Sequence, residues 1–405
     1  MSRYCFSIFI CYTKGDTAYF SAVSPSVMIQ KMKRGSVILT GKLLMTASTF
    51  GHIRSFHLPY LREFQRLGWE THVGCAGDST GLPYIDKAIE LPFQKQMRST
   101  SNFHAAHLLR KLIQSEQYDL LIMHTSLAAF FTRLAIKQLR HRPRTVNTVH
   151  GYLFDTSTPY LKRQLLLSAE RLTASETDIL LTMNRWDYEC AKRFQLGRKI
   201  EMISGMGVDF ARLDHATRED GVRVRRELGI SDDAFVLLYA AEFSERKSQK
   251  ILIHTMSQLP QNTVLVLCGT GDNLEACRDL ANEQRLENRV LFPGQIADMG
   301  PWYRLADAAV TASRSEGLPF NVMEAMHMGL PVVASAVKGH VDLIRDGKTG
   351  LLYPYGNEEA CAKQVQQLMN DKALRERIRS QGRKGVESYA LQAVLPEVMR
   401  KYLQV

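Results

Sequence analysis

The sequence predicts an α/β protein of two Rossmann-like domains, each built on a parallel sheet. Three observations carry this reading. At 405 residues the chain is too long for one typical domain and suits two of similar size. From Lys42 onward, short apolar runs alternate with amphipathic stretches, the rhythm of β-α-β units. The alternation breaks once, in the glycine- and acid-bearing stretch 205–221, and then begins again.

In the first domain, residues 36–210, strands are expected at Lys42–Met45, His72–Cys75, Leu120–Met123, Thr145–Val149 and Ile179–Thr182. Helical spacing covers Pro59–Leu67, closed by Gly68, and Phe103–Gln117. In the second domain, 211–385, a helix at Arg223–Leu228 precedes strands at Phe235–Ala240, Val264–Cys268, Val290–Phe292, Ala308–Thr311 and Val332–Ala334. Their unbroken apolar runs are those of strands buried on both faces. Residues 386–405 read as a terminal helix that packs back on the first domain. Residues 1–35 match neither a targeting peptide nor a domain element. Met28 and Met32 stand just before the first strand, so a mis-assigned start codon is the leading explanation for this extension.

Composition narrows the function. With 45% hydrophobic and 23% charged residues the chain is globular. Its seven cysteines are odd in number and lack C-x-x-C spacing, which argues against a disulfide framework and a zinc site. No apolar run approaches the roughly 20 residues that span a bilayer, so a cytoplasmic location is expected. The net charge of +11 suits nucleic acid, an anionic membrane surface or an acidic substrate. Arg140, His141, Arg142 and Arg144, with Arg133 and Lys137 nearby, are the densest basic cluster, and a solvated helix end explains them equally well. No basic-aromatic interleaving or binding module supports nucleic acid as a partner.

The most informative segment runs from Ser315 to Met326, directly after the strand Ala308–Thr311. Gly317 and Pro319 mark a sharp turn into a helix that ends at Gly329, with Pro331 opening the next strand. The start of such a helix points free N–H groups out of the carboxyl edge of the sheet, where they and the helix dipole hold a phosphate. Glu316 in the turn and Glu324 more than one turn inside the helix flank this anion site at different depths. Carboxylates repel phosphate but accept hydrogen bonds from sugar hydroxyls.

Glu, seven residues, Glu within E-G-x-P-x-x-x-x-E-A-M, here Glu316 to Glu324, resembles the retaining GT-B glycosyltransferases of family four, in particular bacterial capsule and exopolysaccharide transferases. The likeness spans Lys42 to the C-terminus. It implies the GT-B fold, two Rossmann-like domains with parallel sheets facing a central cleft. It also implies that Glu324 holds the donor ribose, that Glu316 faces the donor sugar, and that the turn and helix start at Gly317, Leu318, Phe320 and Asn321 meet the diphosphate and sugar. Lys247 matches the family's lysine against the leaving diphosphate. Glu242 stands where arginine is usual, and Arg246 is a candidate replacement. Gly269 and Gly271 resemble the family's G-x-G turn, although such a turn is also a common tight connection. Gln295 and Ile296 fall in the loop that meets the nucleobase. His150 at a strand end corresponds to a histidine beside the donor sugar. Gly51 and His52 mark a loop near the diphosphate and acceptor, here poorer in glycine than usual.

The resemblance further implies transfer from a nucleotide-diphosphate sugar to a lipid-linked or other glycan acceptor, with retention of configuration and no cofactor. The absence of any D-x-D leads to an expectation of metal independence. Reversible attachment to the inner face of the cytoplasmic membrane is expected from the charge. The alternatives are a nucleotide-sugar epimerase or hydrolase on the same fold, and a non-catalytic nucleotide-sugar binding protein.

Overall fold

Apolar runs bury both faces of a strand, and in this chain they form the centres of two parallel sheets. A computed structural model describes residues 40–94 and 96–404, together with the backbone of Phe9–Cys11 and Phe20–Ala22. Those two short strands pair antiparallel with each other, and the rest of the expectation for 1–35 lies outside the described residues.

The first sheet contains β1 (Lys42–Thr49), β2 (Glu70–Ala76), β3 (Lys87–Glu90), β4 (Leu120–His124), β5 (Arg144–Val149), β6 (Ile179–Thr182) and β7 (Lys199–Met202). Its order is β3-β2-β1-β4-β5-β6-β7, parallel throughout. The second contains β8 (Phe235–Ala240), β9 (Thr263–Cys268), β10 (Val290–Gly294), β11 (Ala308–Thr311), β12 (Val332–Ser335) and β13 (Leu351–Tyr353). Its order, β10-β9-β8-β11-β12-β13, repeats that of the first. In each sheet the direction of winding reverses beside the first strand, between β1 and β4 and between β8 and β11. Crevices open at such points, at the carboxyl ends of the strands. The chain therefore has two Rossmann-like domains on parallel sheets, the architecture that the resemblance implies.

Three details differ from the sequence reading. The helix expected at Arg223–Leu228 begins five residues earlier, at Arg218, because Thr217 and Asp220 form a reciprocal capping box that the linker assignment had absorbed. Strands β3, β7 and β13 were not expected, being short and at the sheet edges. The basic cluster is not a free cationic patch. Arg133 is fully buried against Glu170 at 2.7 Å, Arg142 grips Asp178 with both terminal nitrogens, and Arg144 donates to the Tyr402 carbonyl.

The domains are pinned by a lysine. Lys338, in the loop after β12, inserts its ammonium into the first domain and donates to the carbonyls of Tyr152 and Phe154 at 3.0 and 3.2 Å and to Asp187 at 3.0 Å. Both partners of this ion pair are buried. Burial pushes the Asp187 carboxyl up, and Lys338 pulls against it. Nearby, Asn184 donates to the Gly317 carbonyl at 3.0 Å. The helix Leu391–Leu403 also crosses back, stacking Tyr402 on Phe64 and placing Lys401 against Glu201.

Removing Lys338 alone strands a buried carboxylate, so Lys338→Ala should lower stability in urea by about 3 to 5 kcal/mol. Lys338→Met combined with Asp187→Leu should recover most of that loss. Equal losses in the single and double variants would show that the ion pair is not what is being removed.

Candidate active site

The helix Phe320–His327 starts after Pro319, and no side chain caps it. Its first N–H groups therefore face the cleft without a built-in acceptor. The Asn321 side chain donates to the Ala240 carbonyl at 3.0 Å, tying the helix start to the end of β8. The Phe320 ring meets Phe56 of the first domain edge-on, with centroids 4.8 Å apart.

Glu316 precedes this helix and is 7% exposed. Lys247 donates to one carboxylate oxygen at 2.6 Å and Arg246 to the other at 2.8 Å. Burial alone would raise this carboxyl, but the two cations outweigh it and hold it at about 2. Burial in turn lowers the Lys247 ammonium, partly offset by Glu316. Gly317 leaves no room for a side chain, since a Cβ there would lie 2.1 Å from the His150 carbonyl oxygen. Domain faces thus meet backbone to backbone at this point.

Glu324, one turn into the helix, is 5% exposed rather than on the surface. Tyr303 donates to it at 2.8 Å, and Arg212 bonds its other oxygen.

Two cavities open on either side of the Phe56–Phe320 pair. The first, about 650 Å³, is lined by Arg54, Arg212, Glu242, Gly269, Gln295, Ile296, Tyr303, Asn321 and Glu324. The second, about 770 Å³, is lined by His52, His150, Lys162, Arg246, Arg314, Glu316, Gly317 and Leu318. Each buried glutamate faces a different cavity, and the helix start lies where they join.

Below the second cavity, four imidazoles crowd together. His57 stacks on His124 at 3.7 Å, His52 meets His150 edge-on at 4.6 Å, and His124 Nδ1 lies 3.1 Å from His150 Nε2. Burial lowers all four, most strongly His57, His124 and His150, and brings His52 to about 4. They are neutral at physiological pH.

Most of the expected site residues line one cavity or the other. Lys247 lines neither wall but reaches the site through Glu316. Arg246 lines the second cavity with Glu316, while Glu242, whose charge acts on Arg246, lines the first. Gly271 lines neither cavity. Cβ atoms at Gly269 and Gly271 would fall 2.1 and 2.3 Å from the carbonyl oxygens of Ala241 and Phe243, so close packing of two loops accounts for both glycines. Gly51, in the helix Phe50–Phe56, also lies outside both cavities, whereas His52 lines the second. Sequence reasoning missed Arg212, Tyr303, His57 and His124, whose partners are remote in the chain.

Comparison with known proteins identifies the family and the fold. Residues 223–385 match the family model "Glycosyl transferases group 1", and residues 60–212 match "Glycosyltransferase Family 4". EpsD of Bacillus subtilis (strain 168), itself a predicted glycosyltransferase, is 33% identical over 351 residues, covering 85% of this chain and 92% of its own. The UDP-Gal:alpha-D-GlcNAc-diphosphoundecaprenol alpha-1,3-galactosyltransferase of Escherichia coli is 23% identical, covering 78% of this chain and 84% of its own. The crystal structure of HepE from Anabaena in complex with UDP and glucose superimposes with a TM-score of 0.73 at 20% identity, over 89% of this chain and 99% of that one.

Because the folded Glu316 carboxyl titrates near 2 instead of 4.5, its contribution to stability is present above pH 4.5 and is lost as the pH falls toward 2. Wild type should therefore exceed Glu316→Gln by on the order of 3 kcal/mol near neutrality. Urea unfolding at a series of pH values should show that margin narrowing on acidification. A margin independent of pH would place no charged carboxylate between Lys247 and Arg246.

Proposed function

As a member of the group 1, family four glycosyltransferases of GT-B fold, the chain is a glycosyltransferase, and we propose that it moves a sugar from a nucleotide diphosphate to a lipid-linked glycan with retention of configuration. The observation that carries this reading is the uncapped helix start at the junction of two cavities, with one buried glutamate in each. In this reading the nucleoside fills the first cavity, its ribose hydroxyls donating to Glu324 and its base resting on the main chain at Gln295 and Ile296. The diphosphate lies at the helix start. The sugar enters the second cavity, near Glu316 and His150.

The charge that grows on the leaving diphosphate is met by protein cations. Lys247 and Arg246 stand beside Glu316, while Arg54 and Arg212 line the cavity where Glu242 replaces the family's arginine. These four positions supply positive charge without a divalent ion at the diphosphate. As the bond from the sugar C1 to the phosphate oxygen breaks, the acceptor oxygen bonds to C1 on the same face. Its proton passes to the departing phosphate oxygen, so orientation and charge stabilisation are the protein's main contributions.

A lipid-linked acceptor is supported by the Escherichia coli relative, named for a diphosphoundecaprenol substrate. No helix among the described residues is long and apolar enough to cross a membrane. The helix Tyr160–Leu172, however, exposes Tyr160, Leu161, Leu165 and Leu172 to solvent, Leu161 to 81%, with Leu153 nearby. Lys162 and Arg171 lie exposed on the same helix, and Lys162 and Leu153 line the second cavity. Apolar and basic side chains mixed in this way suit the interface of an anionic bilayer. This helix replaces the Arg140–Arg144 cluster as the membrane-facing element.

Four measurements test the proposal. With uridine diphosphate as the first ligand, Glu324→Ala should weaken calorimetric binding by about 1 to 3 kcal/mol. Lys247→Ala should lower kcat by about 100-fold or more at saturating donor. Product formed without any acceptor would identify a hydrolase or epimerase instead. Finally, the protein should co-sediment with anionic but not neutral vesicles at low salt, and Leu161→Glu with Leu165→Glu should abolish this. Equal sedimentation of the double variant would remove the helix from the membrane contact.

A further inference from the structure

We propose that the histidine cluster beneath the second cavity is a metal site in which His52, His57 and His150 hold one divalent transition-metal ion of the zinc class. One ligand nitrogen from each of these residues lies within 4.8 Å of the other two. Around a tetrahedral zinc with bonds of about 2.0 to 2.1 Å the nitrogens stand roughly 3.4 Å apart. The three rings need to close by at most about 1.5 Å on that measure, a movement within the reach of side-chain rotation.

Unpaired nitrogens are the second, independent observation. His57 is fully buried, and neither of its ring nitrogens has a hydrogen-bond partner. His52 Nε2 and His124 Nε2 are also buried and unpartnered. Buried polar groups without partners are scarce in native proteins, because each forfeits its hydration. Four such atoms lie on adjacent rings, close enough together to share one ligand. An imidazole held neutral by burial has a lone pair to offer, and that form binds a metal. His124, 3.1 Å from His150 Nε2, orients the His150 ring as a supporting partner.

The donor set selects the ion. Imidazole nitrogens favour zinc, copper and nickel, whereas magnesium and calcium need oxygens. No carboxylate belongs to the set, so the bound ion keeps its double charge. Three protein ligands leave a fourth position open. His52 and His150 both line the second cavity, so that position faces it. An oxygen ligand is expected there: water at rest and, if the proposed function holds, a hydroxyl or phosphate oxygen of the acceptor. Only this last step rests on the glycosyl-transfer reading. The ion is separate from the diphosphate, whose charge falls to Lys247, Arg246, Arg54 and Arg212.

The test uses the full chain without a histidine tag, stripped with a chelator and titrated with cobalt(II), followed by its visible absorption and then by displacement with zinc(II). Metal content after desalting should reach about one ion per chain, and cobalt should give the intense bands of a tetrahedral site. His57→Gln should lower cobalt affinity by more than about 100-fold, while uridine diphosphate binding, which does not involve His57, stays at the wild-type value and reports a folded protein. Absence of a saturable cobalt spectrum in the stripped wild type would overturn the proposal. So would wild-type cobalt binding by His57→Gln, which would put the ion elsewhere. If His57→Gln does not fold, the wild-type titration decides alone. Loss of nucleotide binding by Glu324→Ala concerns the donor site and leaves this result standing.

Discussion

The cleft depends on one ammonium group. Lys338 leaves the second domain and gives its protons to two carbonyls and a carboxylate of the first, so its charge is satisfied at the cost of fixing three positions there. Two of those positions, Tyr152 and Phe154, belong to the loop that begins at His150 and Gly151. Where Lys338 sits therefore decides where the His150 main chain sits. Gly317 then approaches the His150 carbonyl until only a hydrogen fits between them. A buried ion pair is seldom a net source of stability. Its value here lies in register: a purely apolar contact would let the domains slide, whereas this one has a single satisfied arrangement.

That register gives the electrostatics of the cleft their pattern. Each buried glutamate is matched to cations from another part of the chain, Glu316 to Lys247 and Arg246, and Glu324 to Arg212 with a tyrosine hydroxyl. A polyanionic ligand entering such a site meets cations that already have partners. Its affinity measures an exchange of partners, so single substitutions on either side will not add independently. The lost arginine at Glu242 belongs to the same exchange, because Arg54 and Arg212 reach the cavity from elements outside the family motif.

Much of this was legible in the sequence, and the boundary has physical causes. Central strands such as β8 and β11 announce themselves because both faces are buried and every residue must be apolar. Edge strands have no such requirement: Lys87–Glu90 and Lys199–Met202 mix charged with apolar residues and offer no apolar run to read. The helix Phe320–His327 was visible because glycine, proline and two glutamates are all local to it. Arg212 and Glu324 stand 112 residues apart, and Asp187 and Lys338 stand 151 apart, so no local pattern could join them. The histidine cluster draws on three separate elements for the same reason. The basic cluster misled because sequence displays charge but not its partner, and Glu170 and Asp178 had already claimed Arg133 and Arg142.

The returning helix Leu391–Leu403 has a consequence for how the protein is made. Tyr402 completes the wall formed by Tyr60 and Phe64, and its hydroxyl reaches Thr148 in β5, yet it emerges from the ribosome after all of the second domain. Domains usually fold in order of synthesis. Here the first can form its sheet early but keeps an uncovered apolar groove until the helix Leu391–Leu403 arrives. During translation this groove is the surface most exposed to misassociation and the natural place for a chaperone to hold.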